Sequence, residues 1–191
     1  MARDTARRAE LAEAATDHAL EHGLIGLSLR PLAAALGTSD RMLLYHFDGK
    51  DDLVATVIET TSDRSVELIR GLPPSRSVRR AVLDLWEAST SPPLDRCSRL
   101  YVEAAALGLL GREPYVKVVH AANERWVDAL ADHLTSSGAN RRSARRAANL
   151  MDATFMGLQL DLPLAPLDPD QRRVVSDVVD AVVAIAGQGR A

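Results

Sequence analysis

The chain has 191 residues, 47% of them hydrophobic, with 23 Lys and Arg against 26 Asp and Glu and a formal net charge of −3. That is enough apolar material for a sizeable core in one or two domains, and the single cysteine, Cys97, excludes an internal disulfide framework and a cysteine-based zinc module. No apolar run approaches a membrane span, and the start, with Arg3, Asp4, Arg7 and Arg8, lacks the apolar stretch of a signal peptide, so a cytoplasmic location without a membrane partner is expected.

No segment alternates like a strand. Breaks at Gly71 to Pro74, Ser91 to Pro93, Gly111 to Pro114, Ser136 to Gly138 and Pro163 to Pro169 divide the rest into helices. The predicted spans are 5–22, 28–36, 39–46, 50–70, 75–90, 94–110, 113–136, 140–161 and 169–187, an all-α chain of about nine helices. Within them, Ser28 is placed to cap a helix whose apolar residues are Leu32, Ala33 and Leu36; Pro31 is tolerated in its first turn and Gly37 ends it. Thr38 or Ser39 can cap the next helix, where Leu43 and Phe47 stand four apart to dock on the preceding one. Two short helices around a glycine turn make a helix-turn-helix. In that arrangement the second helix lies in the major groove and presents Asp40, Arg41, Met42 and Tyr45 to base edges.

The run Tyr45, His46, Phe47, then Lys50 and Leu53, set behind this turn, resembles the signature of the TetR family of bacterial repressors. Leu11, Ala14, Ala15 and Gly23 match the family's first helix, and Ser28, Leu32, Ala33 and Gly37 its second, so the likeness covers about the first quarter of the chain. The resemblance implies a TetR-like fold: a three-helix helix-turn-helix DNA-binding domain over 1–49 and a helical ligand-binding and dimerisation domain over 50–191. It also implies that Ser28, Tyr45, His46 and Lys50 hold phosphates and that Arg30 reaches a guanine, whose O6/N7 edge suits an arginine fork. Thr38 and Ser39 complete the DNA-facing set. Three residues depart from the family pattern, all on the reading surface: Asp40 where a lysine or other polar residue is common, Met42 for threonine and Leu44 for tyrosine. Asp40 either accepts from a cytosine amino group or only complements the helix dipole, and Met42 or Leu44 can touch a thymine methyl.

Residues 1–50 carry six basic and seven acidic side chains, so a positive surface has to be built locally, from Arg3, Arg7 and Arg8 on an N-terminal arm with Arg30, Arg41 and Lys50. Only Lys50 and Lys117 are lysines.

Between 169 and 187, Val174, Val175, Val178, Val179, Val182, Val183 and Ile185 form a stripe too wide for one packing partner. The preceding helix offers Ala144, Ala147, Ala148, Met151, Phe155 and Leu158. A two-fold four-helix contact through Ala144, Ala148, Met151, Val175, Val179, Val182 and Val183 is expected, giving a homodimer whose two reading heads match a palindromic operator on double-stranded DNA. The alternative is a monomer that keeps the valine stripe in its own core.

For a ligand-switched repressor the middle helices should enclose a mainly apolar pocket for a small effector. The candidates are Trp86, Tyr101, His120, Asn123, Trp126, Met151, Phe155, Met156 and Gln159, with Glu103, Glu124 and Asp152 as further polar groups. Each has a plainer reading as core, solvated surface or ion pair. Cys97 reads as a small buried residue or a redox sensor. His18 and His22 are four apart on one helix but lack an evident third metal ligand, and Arg141, Arg142, Arg145 and Arg146 form either a solvated or ion-paired face or a grip for an acidic partner. With no phosphate loop, nucleophile elbow or cysteine pair, no enzyme activity, metal or cofactor is expected. The competing function is a helical protein-interaction module without DNA affinity.

Overall fold

The computed structural model describes residues 2–187, apart from the side chains of Ala2 and Arg3. These residues form α1 (Ala2–His22), α2 (Leu29–Ala35), α3 (Asp40–His46), α4 (Gly49–Arg70), α5 (Val78–Ser89), α6 (Leu94–Leu109), α7 (Tyr115–Ser136), α8 (Arg141–Asp161) and α9 (Pro169–Gly187), with no strand among them. The all-α reading and its nine helices hold, with ends within a few residues of expectation. Local chemistry sets those ends. Ser77 and Asn140 cap α5 and α8, accepting from the amides of Arg80 at 3.2 Å and Arg142 at 2.9 Å, and α2 runs into Gly37, whose φ of +65° is left-handed backbone that costs a side chain about 1–2 kcal/mol.

Ser28 does occupy the extended cap position of α2, but its side chain accepts no capping hydrogen bond. An N-cap oxygen normally accepts from the second or third helical amide. Here the third helical residue is Pro31, which has no N–H to give.

The chain divides into two compact units, residues 1–65 with 95–123 and residues 66–94 with 124–191. The core of the first unit is built from Leu11, Ala15, Leu24, Leu32, Leu43, Phe47, Leu53, Val57 and their neighbours. In the second, Val82, Leu85, Leu130, Leu134, Ala147, Met151, Phe155, Val179 and Val182 converge. Cys97 is buried in the first unit, and burial pushes its thiol up, which disfavours the reactive thiolate.

The residues expected at the dimer contact lie mostly inside the chain. Ala144, Ala148 and Met151 of α8 and Val175, Val179 and Val182 of α9 are all buried within a single chain, Val183 being the one of the set left half-exposed. The α8 and α9 stripes face each other and the rest of their own unit, so their periodicity reported a core. What the same two helices leave outside is a different face. It holds Leu150, Ala153, Gly157 and Leu160 on α8 and Val174 and Ala184 on α9.

Candidate nucleic-acid interface

The connection between α2 and α3 is closed by its own backbone. Leu36, Gly37 and Thr38 donate to the carbonyls of Leu32, Ala34 and Ala33 at 2.9–3.2 Å. Ser39, not Thr38, then caps α3, its Oγ accepting from the Met42 amide at 3.2 Å. Asp40 Oδ1 accepts from the Arg41 amide at 3.1 Å, which places its carboxylate at the helix start. Leu43 and Phe47 are fully buried, and burying two such side chains contributes about 1.5–3 kcal/mol each. With that face fixed inward, α3 turns Arg41 and Tyr45 outward, flanked by Met42 and Leu44, exposed by 69% at Tyr45, 43% at Met42 and 49% at Leu44. Ser28, Arg30, Ser39, Asp40 and Lys50 are also exposed and Thr38 is half-buried.

The cations of this region divide sharply. The arm predicted from Arg7 and Arg8 is instead part of α1, which is helical through both. Arg7 pairs with Glu10 at 2.9 Å. Arg8 donates through Nε to the His46 carbonyl at 3.0 Å and through Nη2 to Asp52 and Thr56 at 3.0–3.3 Å, with its guanidinium 4.8 Å from the centre of the Phe47 ring. It thus fastens α1 to the end of α3 and the start of α4, where Asp52 also accepts from the Asp48 amide at 3.0 Å. Arg64 on α4 is paired with Glu13 and Asp17 of α1. The Arg3 side chain lies outside the described residues. Exposed Arg30, Arg41 and Lys50 remain as the cations of residues 4–50 without an ion pair among the described residues.

His46 does not face outward. Its side chain is 5% exposed, with Nδ1 3.2 Å from an Asp4 oxygen and the ring edge-on to Tyr45 at 5.0 Å. That geometry orients Tyr45 and leaves the imidazole little surface for a phosphate. His18 and His22 stack edge to face at 4.3 Å, where burial and the neighbouring His22 lower the His18 pKa; no group of three or more metal-ligating side chains occurs among the described residues.

Glu103, read from the sequence as a possible pocket residue, instead holds the turn between α1 and α2. Its Oε2 accepts from the amides of Leu24 at 2.7 Å and Ile25 at 2.6 Å. Glycine is required at Gly23 by its φ of +84°, and a Cβ there would stand 2.9 Å from Oε1, displacing the Glu103 carboxylate from this contact. Glu103→Ala is expected to cost about 2 kcal/mol locally and to raise amide exchange at Leu24 and Ile25 roughly thirtyfold. Unchanged exchange there would remove this role.

The other ligand candidates fall in both units. Tyr101 and Asn123 are half-buried and His120 exposed in the first. In the second, Trp126 Nε1 donates to Asp152 Oδ1 at 2.7 Å, and Trp86 lies against Phe155 with ring centres 4.7 Å apart. Burial pushes the Asp152 carboxyl above its ordinary range, partly offset by the Trp126 hydrogen bond. Met151 and Phe155 are core, while Met156 and Gln159 are half-buried. Glu124 is engaged by Arg145, which also pairs with Asp128; that part of the arginine cluster is an ion-paired face.

Residues 11–57 match the family model for bacterial regulatory proteins of the tetR family. Curated proteins give no significant match. Among solved structures, a transcriptional regulator from Rhodococcus sp. Rha1 is 23% identical with a TM-score of 0.71, over 95% of this chain and 96% of that one. A regulator from Streptomyces coelicolor A3(2) is 24% identical with a TM-score of 0.69, over 95% and 99%. A third, from Saccharomonospora viridis in complex with choline, is 18% identical with a TM-score of 0.67, over 92% and 96%. At these identities the likeness establishes the fold. Residues 11–57 are thus similar to the tetR family of bacterial regulatory proteins, and the chain as a whole shares the all-α fold of solved transcriptional regulators.

Proposed function

We propose that this protein is a sequence-specific DNA-binding transcriptional regulator, a homodimeric cytoplasmic repressor that leaves its palindromic operator when a small, largely apolar effector binds. The observation that carries the DNA-binding reading is α3, locked inward through Leu43 and Phe47 and presenting Arg41, Met42, Leu44 and Tyr45 on a segment that matches the tetR family. Residues 1–49 are the reading head in this proposal and residues 50–191 carry assembly and effector binding. Ser28, Arg30, Tyr45 and Lys50 contact the DNA, with His46 acting through Tyr45.

Dimerisation uses the outer face of α8 and α9, since the inner one is spent within the chain. For the effector, Trp86, Trp126 and Phe155 offer aromatic faces and Asp152, one turn from Phe155 on α8, offers a carboxylate. That set suits an apolar cation of the kind found in the Saccharomonospora structure. An effector that binds better to a conformation with the heads at the wrong spacing lowers operator affinity.

The test is selection of binders from a random double-stranded DNA pool at fixed moderate salt. An enriched palindrome is expected. Lys50→Ala should weaken binding to it and make the slope of log affinity against log salt shallower by about 0.9, one phosphate contact. No enrichment at low salt favours the protein-interaction module, a reading supported by the small number of unpaired cations on the head.

A further inference from the structure

The outward face of α3 has little polar equipment left for bases. The Ser39 hydroxyl accepts from the Met42 amide and one Asp40 carboxylate oxygen from the Arg41 amide, and His46 is turned inward. What remains is Arg41 and three side chains with large apolar bodies, Met42, Leu44 and Tyr45, all exposed. Met42 and Leu44 each leave more than two-fifths of their surface in water on a seven-residue helix whose opposite face is buried. In a major groove they have one chemical complement, the C5-methyl group of thymine. Against a G·C pair the same side chains desolvate the guanine acceptors and the cytosine amino group without replacing their hydrogen bonds, which is a cost rather than a neutral contact.

We propose that Met42 and Leu44, flanking the Arg41–Tyr45 ridge on either side, determine operator specificity by packing against thymine methyls. This rests on the DNA-reading function proposed above and names the feature of the DNA that is read. The operator half-site carries A·T or T·A pairs where these two residues enter the groove. Among the described residues 4–50, Arg30, Arg41 and Lys50 are the cations without an ion pair, so phosphate attraction supplies less of the affinity and methyl burial more.

The experiment uses the full-length protein and two random duplex pools, one synthesised with thymine and one with deoxyuridine in its place, which differ only in the C5-methyl. The thymine pool is expected to yield a palindrome with thymines in each half-site. Replacing those thymines singly by deoxyuridine in the enriched duplex should weaken binding about fourfold per methyl lost, and all four contacts of a two-fold site together by on the order of a hundredfold. Met42→Ala and Leu44→Ala, compared at a temperature where circular dichroism shows each variant folded, should each erase the thymine–uracil difference at one position per half-site. Equal affinity for the thymine and uracil duplexes overturns the inference while the DNA-binding function stands, and so does a difference that survives both substitutions. Failure of the thymine pool to enrich a sequence overturns the DNA-binding function itself, and the inference with it.

Discussion

Phe47→Ala is expected to lower the unfolding free energy by about 4 kcal/mol, a large fraction of the total for a domain of this size. Phe47 is fully buried at the end of α3. Its amide donates to the Leu43 carbonyl at 2.8 Å, and its ring carries the Arg8 guanidinium. Truncation leaves a cavity among Leu11, Leu43 and Leu53 and removes the apolar wall that screens the contact of Arg8 with Asp52. Urea titration followed by far-ultraviolet circular dichroism reads the loss. Phe47→Leu, which keeps most of the volume, should cost about 1 kcal/mol. A Phe47→Ala midpoint equal to that of the wild type would mean that the ring is not the centre of this core.

The second large effect concerns assembly. Gly157→Arg is expected to convert the proposed homodimer into a monomer in sedimentation at micromolar protein, and to weaken operator binding on the order of a hundredfold through loss of the second half-site. Gly157 is exposed on α8, and a Cβ added there meets nothing within 4 Å. The chain's own fold therefore tolerates the substitution, and replacing a mid-helix glycine even favours the helix by about 0.5–1 kcal/mol. Leu150, Ala153 and Leu160 share that outer face, and a charge placed among them would be desolvated in a two-fold contact without a partner. Val179→Ala is the complementary probe: that side chain is buried within the chain, so it should lower stability by about 1–2 kcal/mol and leave the association state unchanged. A Gly157→Arg protein that stays dimeric would place the interface elsewhere.

Legibility in the sequence followed the range of the interactions concerned. The helix-turn-helix was readable because its determinants are local: a glycine that must adopt positive φ, a serine one residue before the helix it caps, and two apolar residues four apart on one face. Even there the chemistry of one neighbour mattered, since Pro31 removed the third helical amide, one of the two donors an N-cap serine can accept from. The pairing of Arg8 was not readable, because an arginine's partner is not marked in the sequence; Asp52 lies 44 residues from Arg8.

Taken alone, then, the sequence determined that the chain is all-helical, where its helices begin and end, and which positions on α3 face inward, all consequences of backbone propensity and periodicity acting within a few turns. Tertiary structure alone decided what each apolar stripe packs against and which charges are already neutralised. A stripe of valines on α9 announces that a face is buried without saying whether α8 of the same chain or a second copy covers it, and the carboxylate of Glu103 could meet the amides of Leu24 and Ile25 only after the chain had brought together residues nearly eighty positions apart. Periodicity records that a side chain leaves water; the identity of its neighbour is a property of the folded arrangement.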